Sequence, residues 1–316
     1  MTDQSFTYGK SQALKANTFK KSGYAFKGWA SVKGSLIVKY ADKESVSNLT
    51  NKDGTVYNLY AVWGKDISAC TATLSASSFV YNGSVQKPTV TVKNGSTALK
   101  EGSEYKVTVD SAKNCGVYKV TITGAGSYAG TKTLNFKIVP ASLSFKLLTR
   151  TTNSMKIDWN ASAGATSYKV YREENGSFKL LATTKALTYT DKDVKAGTVY
   201  KYRITPYGGS AAGGSFTFTN CTKSAIPTLT ASSGAATKVT FKWNKITPCT
   251  GYQIVYCNQK NGTYKALRHL GQATTTYTHS GIKSGSTWYF KIRCYTEING
   301  KKYFSDYSAP VTVKVK

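Results

Sequence analysis

Short runs in which apolar and polar residues alternate follow one another along most of the chain. Residues 106–109, 118–123 and 252–256 are three such runs. Asn-Gly and Asp-Gly pairs lie between many of the runs, for example at residues 82–83 and 175–176. Alternation with a period of two places every second side chain on one face of a strand, and these dipeptides adopt the positive φ angles of tight hairpin turns. The pattern predicts antiparallel β-sandwiches and a mainly β fold.

One segment carries a helical signal. Ser11 is a suitable N-cap ahead of Ala13 and Leu14, so the sequence predicts a short helix over residues 11–16. We expect no longer helix, because the sequence has no long stretches rich in Ala, Leu and Glu.

The last two segments of the chain repeat each other. Residues 155–159 match residues 239–243, and both runs end in tryptophan. The separation of Trp159 from Trp243 is the length of a sandwich domain rather than of a solenoid repeat. Four modules are therefore predicted, and the short proline-containing connectors favour an extended arrangement. The predicted modules cover residues 1–64, 65–140, 141–224 and 225–316.

Positive charge dominates the composition and points to anionic partners. The 316 residues include 43 Lys+Arg and 15 Asp+Glu, a formal net charge of +28, and only five of the cations are arginine. Proteins that read phosphates or bases specifically use the planar, bidentate guanidinium group of arginine. We therefore expect no specific nucleic-acid recognition, but a diffuse lysine coat that contacts anionic polymers weakly and in a salt-dependent manner. A solvated basic surface without a partner is the alternative.

The sequence offers little for catalysis or for metal and cofactor binding. His269 and His279 are its only histidines, and it contains neither a Cys-x-x-Cys nor a Gly-x-Ser-x-Gly motif. The acidic residues lie mostly in predicted turns rather than as a pair across a cleft. We expect no catalytic residue, no metal ligand and no cofactor, and hence a protein that is not an enzyme.

Strand alternation separates the aromatic residues into two groups. The first group is predicted to face inward, together with one isoleucine: Trp29, Trp63, Trp159, Tyr168, Trp243, Tyr252, Trp288, Phe290 and Ile292. The second group, near the C-terminus, is predicted to lie on an outer face: Tyr289, Tyr295, Tyr303, Phe304 and Tyr307. Exposed aromatic surface of this kind marks binding sites, so the second group is a candidate sugar-stacking face.

Six cysteines leave the state of the thiols open. Two disulfide bonds are predicted from their loop and strand positions: Cys70–Cys115 and Cys249–Cys294. A bond between Cys221 and Cys249 is the alternative at the same end of the last sandwich, and Cys257 is predicted to be free. Free buried thiols throughout the chain are an equally simple interpretation.

Residues 141–224 and 225–316 resemble fibronectin type III domains. The resemblance rests on a tryptophan in strand B (Trp159 in the first copy), on Tyr-x-Val or Tyr-x-Ile in strand C, and on the turn before strand F. That turn carries a tyrosine corner in sandwiches of this kind. Tyr200 fits the corner, whereas the second copy has Trp288 there. The resemblance implies two β-sandwiches in tandem.

Residues 1–64 resemble the Listeria–Bacteroides repeat (InlB B-repeat), a small β-grasp-like module of bacterial surface proteins. The similar strings are Phe-Lys-Lys-Ser-Gly-Tyr-Ala-Phe-Lys-Gly-Trp at residues 19–29 and Leu-Tyr-Ala-Val-Trp at residues 59–63. Family members open with a strand that would precede Met1, so we expect the chain to be an internal part of a longer protein. Without that strand this module is expected to be the least stable, with four aromatic side chains less covered: Phe19, Tyr24, Trp29 and Trp63.

Residues 65–140 resemble the Ig-like repeats that accompany such modules in exported Gram-positive proteins, with Gly-Ala-Gly-Ser-Tyr-Ala-Gly at residues 124–130 among the similar strings. Together the resemblances imply a monomeric, non-catalytic stalk or adhesion segment at the cell surface of a Gram-positive bacterium, which separates a functional head from the cell wall. Its expected partners are other domains of the parent protein and cell-wall polymers or glycans, with no membrane span. The alternatives are an accessory or carbohydrate-binding region of a secreted glycoside hydrolase, and a dedicated binder of nucleic acid or teichoic acid.

Overall fold

The described residues, 1–110 and 112–316 of a computed structural model, form 28 β-strands and one short 3₁₀ helix. They contain no α-helix, and the strands belong to several separate sheets. The predicted mainly β fold with tandem sandwich modules is therefore confirmed. The chain divides into two compact units: Met1–Pro140 with Gly208–Ala211, and Ala141–Tyr207 with Ala212–Lys316.

The N-terminal module contains few strands and a small core. Its strands are β1 (Gln12–Ala13), β2 (Tyr24–Ala30), β3 (Ser45–Val46) and β4 (Tyr60–Asp66). β1 pairs with β3 and β2 pairs with β4, both in antiparallel register. The buried core cluster consists of Leu14, Trp29 and Val46, with partly buried side chains such as Phe26 packed against it.

The predicted helix over residues 11–16 is wrong, because this segment is extended and contains β1. Groups that are distant in the sequence bind the backbone N–H groups of this segment. The side-chain oxygen of Gln4 accepts a hydrogen bond from Lys15 N at 2.9 Å, and Leu14 N donates to the Glu44 carbonyl at 2.9 Å. A segment this short pays the full cost of helix nucleation, and these contacts favour the extended form.

The four aromatic side chains of the N-terminal module that were expected to be less covered differ in how far they are buried. Phe19 and Tyr24 are exposed and Trp63 is half-buried. Trp29 is buried, contrary to that expectation, because the rings of Phe19 and Phe26 pack edge-on against it at 6.3 and 4.9 Å between centroids.

The second module has two sheets and a larger core. After a 3₁₀ helix (Ile67–Ala69) its strands are β5 (Thr71–Leu74), β6 (Ser78–Val80), β7 (Val90–Asn94), β8 (Thr97–Ala98), β9 (Tyr105–Val109), β10 (Gly116–Gly124), β11 (Tyr128–Ala129) and β12 (Thr131–Val139). One sheet has the order β5-β7-β8 and the other the order β6-β12-β10-β9. The core includes Ile122, Phe136 and Ile138.

Strand β4 joins the first two modules, since it pairs with β2 on one side and with β11 on the other. Two glycines permit this close approach. A Cβ added to Gly64 would lie 2.8 Å from the Cβ of Ala129, and one added to Gly124 would lie 2.5 Å from Ala129 N. Real Cβ atoms do not approach so closely, so the absence of a side chain at Gly64 and Gly124 lets β11 lie directly against its neighbours.

The third and fourth modules have the same architecture. The strands of the third are β13 (Phe145–Arg150), β14 (Met155–Trp159), β15 (Ser167–Glu174), β16 (Ser177–Thr184), β17 (Thr188–Asp191), β18 (Val199–Gly208), β19 (Ala211–Ala212) and β20 (Phe216–Cys221). Those of the fourth are β21 (Leu229–Ser232), β22 (Lys238–Trp243), β23 (Gly251–Cys257), β24 (Lys265–Gly271), β25 (Thr276–Ser280), β26 (Thr287–Ile298), β27 (Lys301–Phe304) and β28 (Val311–Lys314).

In each of these modules a three-stranded sheet accompanies a five-stranded sheet. The orders are β13-β14-β17 and β16-β15-β18-β19, with β20 also paired to β18. The fourth module repeats them as β21-β22-β25 and β24-β23-β26-β27, with β28 also paired to β26. The sequence repeat therefore corresponds to a repeat of topology.

Trp159 packs against Tyr168 in the core of the third module, and Trp243 packs against Tyr252 in the same way in the fourth. Of the nine residues predicted to face inward, Trp63 and Trp288 are half-buried and the others are buried. The hydroxyl of Tyr168 accepts a hydrogen bond from Ser162 N, and that of Tyr252 accepts one from Ile246 N. These bonds satisfy the phenol oxygens, as burial of a tyrosine requires.

The predicted tyrosine corner is present in the third module. Tyr200 OH accepts a hydrogen bond from Lys195 N at 2.8 Å. In the fourth module the indole N–H of Trp288 donates to Ser286 Oγ at 2.8 Å, and that hydroxyl donates to the Lys283 carbonyl. A serine therefore completes the connection to the preceding turn, which Trp288 does not reach by itself.

The N-terminal module is predicted to have the lowest protection from amide hydrogen exchange. Its buried core cluster has three residues, against thirteen in the fourth module, so its local unfolding exposes less apolar surface and costs less free energy. Exchange measured by mass spectrometry should show β2 and β4 exchanging before β23 and β26. Equal protection in the two modules would contradict this prediction.

Candidate functional site

Alternation along β26 determines which side chains form the outer face of the last module. Phe290, Ile292 and Cys294 enter the core and are at most 1% exposed. The residues that alternate with them along the strand, among them Arg293 and Tyr295, therefore lie on the opposite, outer face of the five-stranded sheet.

The predicted sugar-stacking group is divided between two faces. Tyr295 pairs across the sheet with Phe304, and their rings contact at 5.6 Å between centroids, so both lie on the outer face with Tyr289. Tyr303 pairs with Thr296 and lies on the other face, where the Arg150 guanidinium of the third module is 5.1 Å from its ring centroid.

A guanidinium group occupies the centre of the outer face. The Cζ atom of Arg293 lies 3.6 Å from the ring centroid of Phe304 and 4.4 Å from that of Tyr307. Its Nε donates to Gln253 Oε1 at 2.7 Å, and Gln253 Nε2 lies 2.9 Å from His269 Nε2. We call these five residues the Arg293 cluster. The buried Gln253 amide holds the guanidinium in place, so the cluster has a defined geometry.

The Arg293 cluster is positively charged and contains no carboxylate partner. None of the ion pairs among the described residues includes Arg293. Burial lowers the pKa of Arg293, and desolvation together with the charges of Lys302 and Arg293 lowers the pKa of His269. The neighbouring Lys302 is paired with Glu297 at 3.2 Å. The cluster therefore offers one cation that has no counter-charge.

This arrangement changes what the aromatic rings offer to a ligand. The guanidinium already lies over the rings of Phe304 and Tyr307, so those ring faces do not form an open platform for a sugar. The accessible groups are the hydrogen-bonding edge of Arg293 and the exposed part of Tyr307.

The third module carries a related cation on the equivalent face. Arg203 Cζ lies 4.5 Å from the ring centroid of Tyr171 and 4.4 Å from that of Phe178, and its buried Nε has no hydrogen-bond partner among the described residues. In the fourth module Lys291 lies 4.1 Å above Tyr264. Sequence reasoning treated the cations as a diffuse coat and missed these contacts. The alternation of cations with core residues along β18 and β26 is the sequence signal that could have identified these contacts.

Arg172 shows the opposite electrostatic environment. Its Nη1 donates to Asp191 at 2.9 Å, and its Nη2 donates to Glu174 at 2.7 Å and to Asp193 at 3.3 Å. Tyr202 OH also donates to Asp191, at 2.7 Å. The three carboxylates match the charge of this guanidinium and hold its pKa above the usual value against the effect of burial. This network therefore supplies the buried guanidinium with carboxylate partners from its own module.

The third and fourth modules meet through a polar interface. Lys223 Nζ donates to both carboxylate oxygens of Asp306 at 2.7 and 2.9 Å, and Thr296 Oγ1 donates to the Gly197 carbonyl at 3.3 Å. Gly197 has a φ of +69°, and a Cβ there would overlap the Pro248 carbonyl oxygen. Glycine at this position therefore permits both the left-handed backbone and the contact between the modules.

Both predicted disulfide bonds are absent from the structure, in which all six cysteines are free. Cys249 and Cys294 belong to one core cluster, but Cys294 Sγ donates to the Ala225 carbonyl at 3.1 Å. The alternative partner Cys221 accepts a hydrogen bond from Arg150 at 3.3 Å. Burial raises the pKa of five of the thiols: Cys70, Cys115, Cys221, Cys249 and Cys294.

The part of the chain that the structure describes contains no group of three or more His, Cys, Asp or Glu side chains arranged to hold a metal ion. None of its helical segments has the length and apolar character needed to cross a membrane.

Comparisons with known proteins give partial similarities. No family model matches the chain. Exoglucanase B of Cellulomonas fimi is 28% identical over 260 residues, which are 74% of this chain and 22% of that protein. A poly(3-hydroxybutyrate) depolymerase of Ralstonia pickettii is 46% identical over 55 residues, 17% of this chain and 10% of that protein. The chain therefore spans only a small part of the length of these relatives.

Among solved structures, a two-domain fibronectin type III segment of chicken tenascin is similar to part of this chain. The alignment covers 56% of this chain and 99% of the tenascin segment. Its TM-score is 0.38 and its sequence identity is 15%. The three domains FN1–FN3 of chicken CNTN1 are similar to 65% of this chain and 78% of that chain, with a TM-score of 0.33 and 13% identity.

Removal of Asp191 is predicted to destabilise the third module strongly. In Asp191→Ala the largely buried Arg172 and the hydroxyl of Tyr202 lose their shared acceptor, which should lower the free energy of unfolding by about 3 kcal/mol. The matched control is Glu173→Ala, whose ion pair with Lys201 is more exposed and is worth about 1 kcal/mol or less. Hydrogen exchange of β14 and β18 measures both values. Equal losses would show that burial of the Arg172 network adds nothing.

The chain is predicted to contain six reactive thiols after unfolding in denaturant without reductant. Before unfolding, a thiol reagent should react slowly at pH 8, because five of the six thiols are buried and burial raises the pKa of Cys221, Cys249 and Cys294. Ellman's reagent gives both values. A count below six in denaturant would show that disulfide bonds form in the protein after all.

Proposed function

We propose that the chain is a non-catalytic accessory segment of a larger, extracellular bacterial protein, and that it acts as a spacer that holds other domains apart. The observation that carries the proposal is the interface between the third and fourth modules. The side chains of Lys223 and Thr296 cross this interface with hydrogen bonds, and Gly197 allows the backbones to meet there. A fixed junction is what a spacer needs and what a flexible tether lacks.

The relatives support a non-catalytic role. Parts of this chain align with an enzyme named for a glucan and with one named for poly(3-hydroxybutyrate). Partial similarity to enzymes with different substrates fits a segment that neither selects the substrate nor performs the reaction. In both cases the aligned region is a minor fraction of the relative, as expected of an accessory module.

The finer proposal is a position at the cell surface of a Gram-positive bacterium. The resemblance of residues 1–64 to the Listeria–Bacteroides repeat and of residues 65–140 to Ig-like repeats supports it. The similarity to exoglucanase B favours a second candidate, an accessory region of a secreted glycoside hydrolase. The two candidates share the spacer function and differ in the head domain that the spacer carries.

A matched pair of glycine variants tests the fixed junction. Gly197 and Gly285 occupy the same place in the two sandwich repeats and have φ angles of +69° and +77°. A Cβ at Gly285 meets no atom within 4 Å, whereas one at Gly197 meets Pro248 and lies 2.9 Å from Ser224 Oγ. Alanine costs about 1 kcal/mol of backbone strain at either position, but only Gly197→Ala disturbs the interface.

Backbone ¹⁵N relaxation of the full chain provides the measurement. In the wild type and in Gly285→Ala, amides of the third and fourth modules should report one common rotational correlation time. In Gly197→Ala the two modules should report shorter and different correlation times, because the interface no longer couples them. Independent tumbling of the two modules in the wild type would refute the spacer proposal.

A further inference from the structure

The Arg293 cluster has the geometry of a preformed binding site for an anion. The guanidinium of Arg293 lies over the rings of Phe304 and Tyr307, and its Nε donates a hydrogen bond to Gln253. Among the described residues no hydrogen bond from either Nη atom of Arg293 to another protein group is found. The unoccupied edge of a stacked guanidinium presents parallel N–H donors, and their spacing matches the two oxygens of a carboxylate.

Electrostatics also favours an anionic ligand at this place. Burying a cation without a counter-charge is unfavourable, and an arriving anion would reverse that cost. The contrast with Arg172, which contacts three carboxylates of its own module, shows that this chain can supply partners to an arginine. At Arg293 it supplies only aromatic rings and a neutral amide.

The surroundings of Arg293 favour a singly charged group on a sugar. Lys302 is engaged by Glu297, whereas Arg293 has no carboxylate partner, and the free edge of one guanidinium matches one carboxylate. Tyr307 is 37% exposed, and its ring centroid lies 4.4 Å from Cζ of Arg293. Exposed apolar surface next to an ionic contact suits a ring that carries C–H groups and one carboxylate.

We propose that the Arg293 cluster binds the carboxylate of a uronic acid residue in an acidic polysaccharide. The carboxylate accepts hydrogen bonds from the free edge of Arg293, and the sugar ring packs beside Tyr307. This binding goes beyond the spacer function and does not depend on it, since the cluster lies within one module. It also differs from a diffuse basic coat, because one arginine of defined geometry carries it.

Two substitutions that conserve charge separate this site from the general positive field. Arg293→Lys retains the cation and its contact with the rings but loses the bidentate edge. Arg268→Lys is the control, since Arg268 is an exposed arginine on β24, which β23 separates from β26 in the same sheet. Calorimetric titration of the full chain uses a galacturonic acid oligosaccharide, its fully methyl-esterified form and poly(glycerol phosphate) as probes.

The galacturonic acid oligosaccharide should bind the wild type and Arg268→Lys equally. Binding to Arg293→Lys should be about tenfold weaker, which corresponds to the loss of one charge-assisted hydrogen bond. The methyl ester should not bind, because it has no carboxylate. In the wild type, the guanidinium NMR signal of Arg293, but not that of Arg268, should shift on titration, a readout that needs no variant.

Three results would overturn the proposal. The first is that the oligosaccharide does not bind or leaves the Arg293 signal unchanged. The second is that both lysine variants weaken binding equally, which would assign the affinity to the diffuse field. The third is that poly(glycerol phosphate) binds as tightly and with the same dependence on Arg293, which would exclude selection of a carboxylate. None of these results bears on the relaxation test of the spacer.

Discussion

The packing of one tryptophan on one tyrosine determines the arrangement of each C-terminal sandwich. Trp159 and Tyr168 meet at 5.5 Å with an interplanar angle of 60°, and Trp243 and Tyr252 meet with the same values. The two partners come from different sheets, so the contact fixes how the sheets face each other. Because a slip of one residue would turn every side chain to the other face, it also fixes which residues of β18 and β26 point outward. The positions of Arg203 and Arg293 therefore follow from the core.

The sequence was sufficient to predict features that depend on local periodicity. The β fold, the repeat that relates Trp159 to Trp243 and the tyrosine corner at Tyr200 all follow from short patterns and appear in the structure. The helix predicted over residues 11–16 failed because Gln4 and Glu44 bind the backbone of that segment from a distance. No local pattern contains such contacts, which explains why tertiary structure overrides propensity there.

The functional features depended on surroundings that residue identity does not reveal. Gly197 and Gly285 occupy equivalent places in the repeat and share a left-handed backbone, yet only Gly197 lies against another module. Similarly, Arg172 is surrounded by carboxylates and Arg293 by aromatic rings, although both lie in strands of similar composition. Phe304 and Tyr307 reach Arg293 from β27 and the segment after it, so the cluster exists only in the folded sheet.

The distribution of arginine and lysine separates two uses of the positive charge. Four of the five arginines lie within 5.5 Å of an aromatic ring centroid: Arg150, Arg172, Arg203 and Arg293. Lysine supplies most of the net charge of +28. A mobile ammonium group attracts any polyanion and is screened by salt, whereas a stacked guanidinium has a fixed direction. In a spacer with related cations on successive modules, weak contacts made by stacked guanidinium groups would add along a single polymer chain.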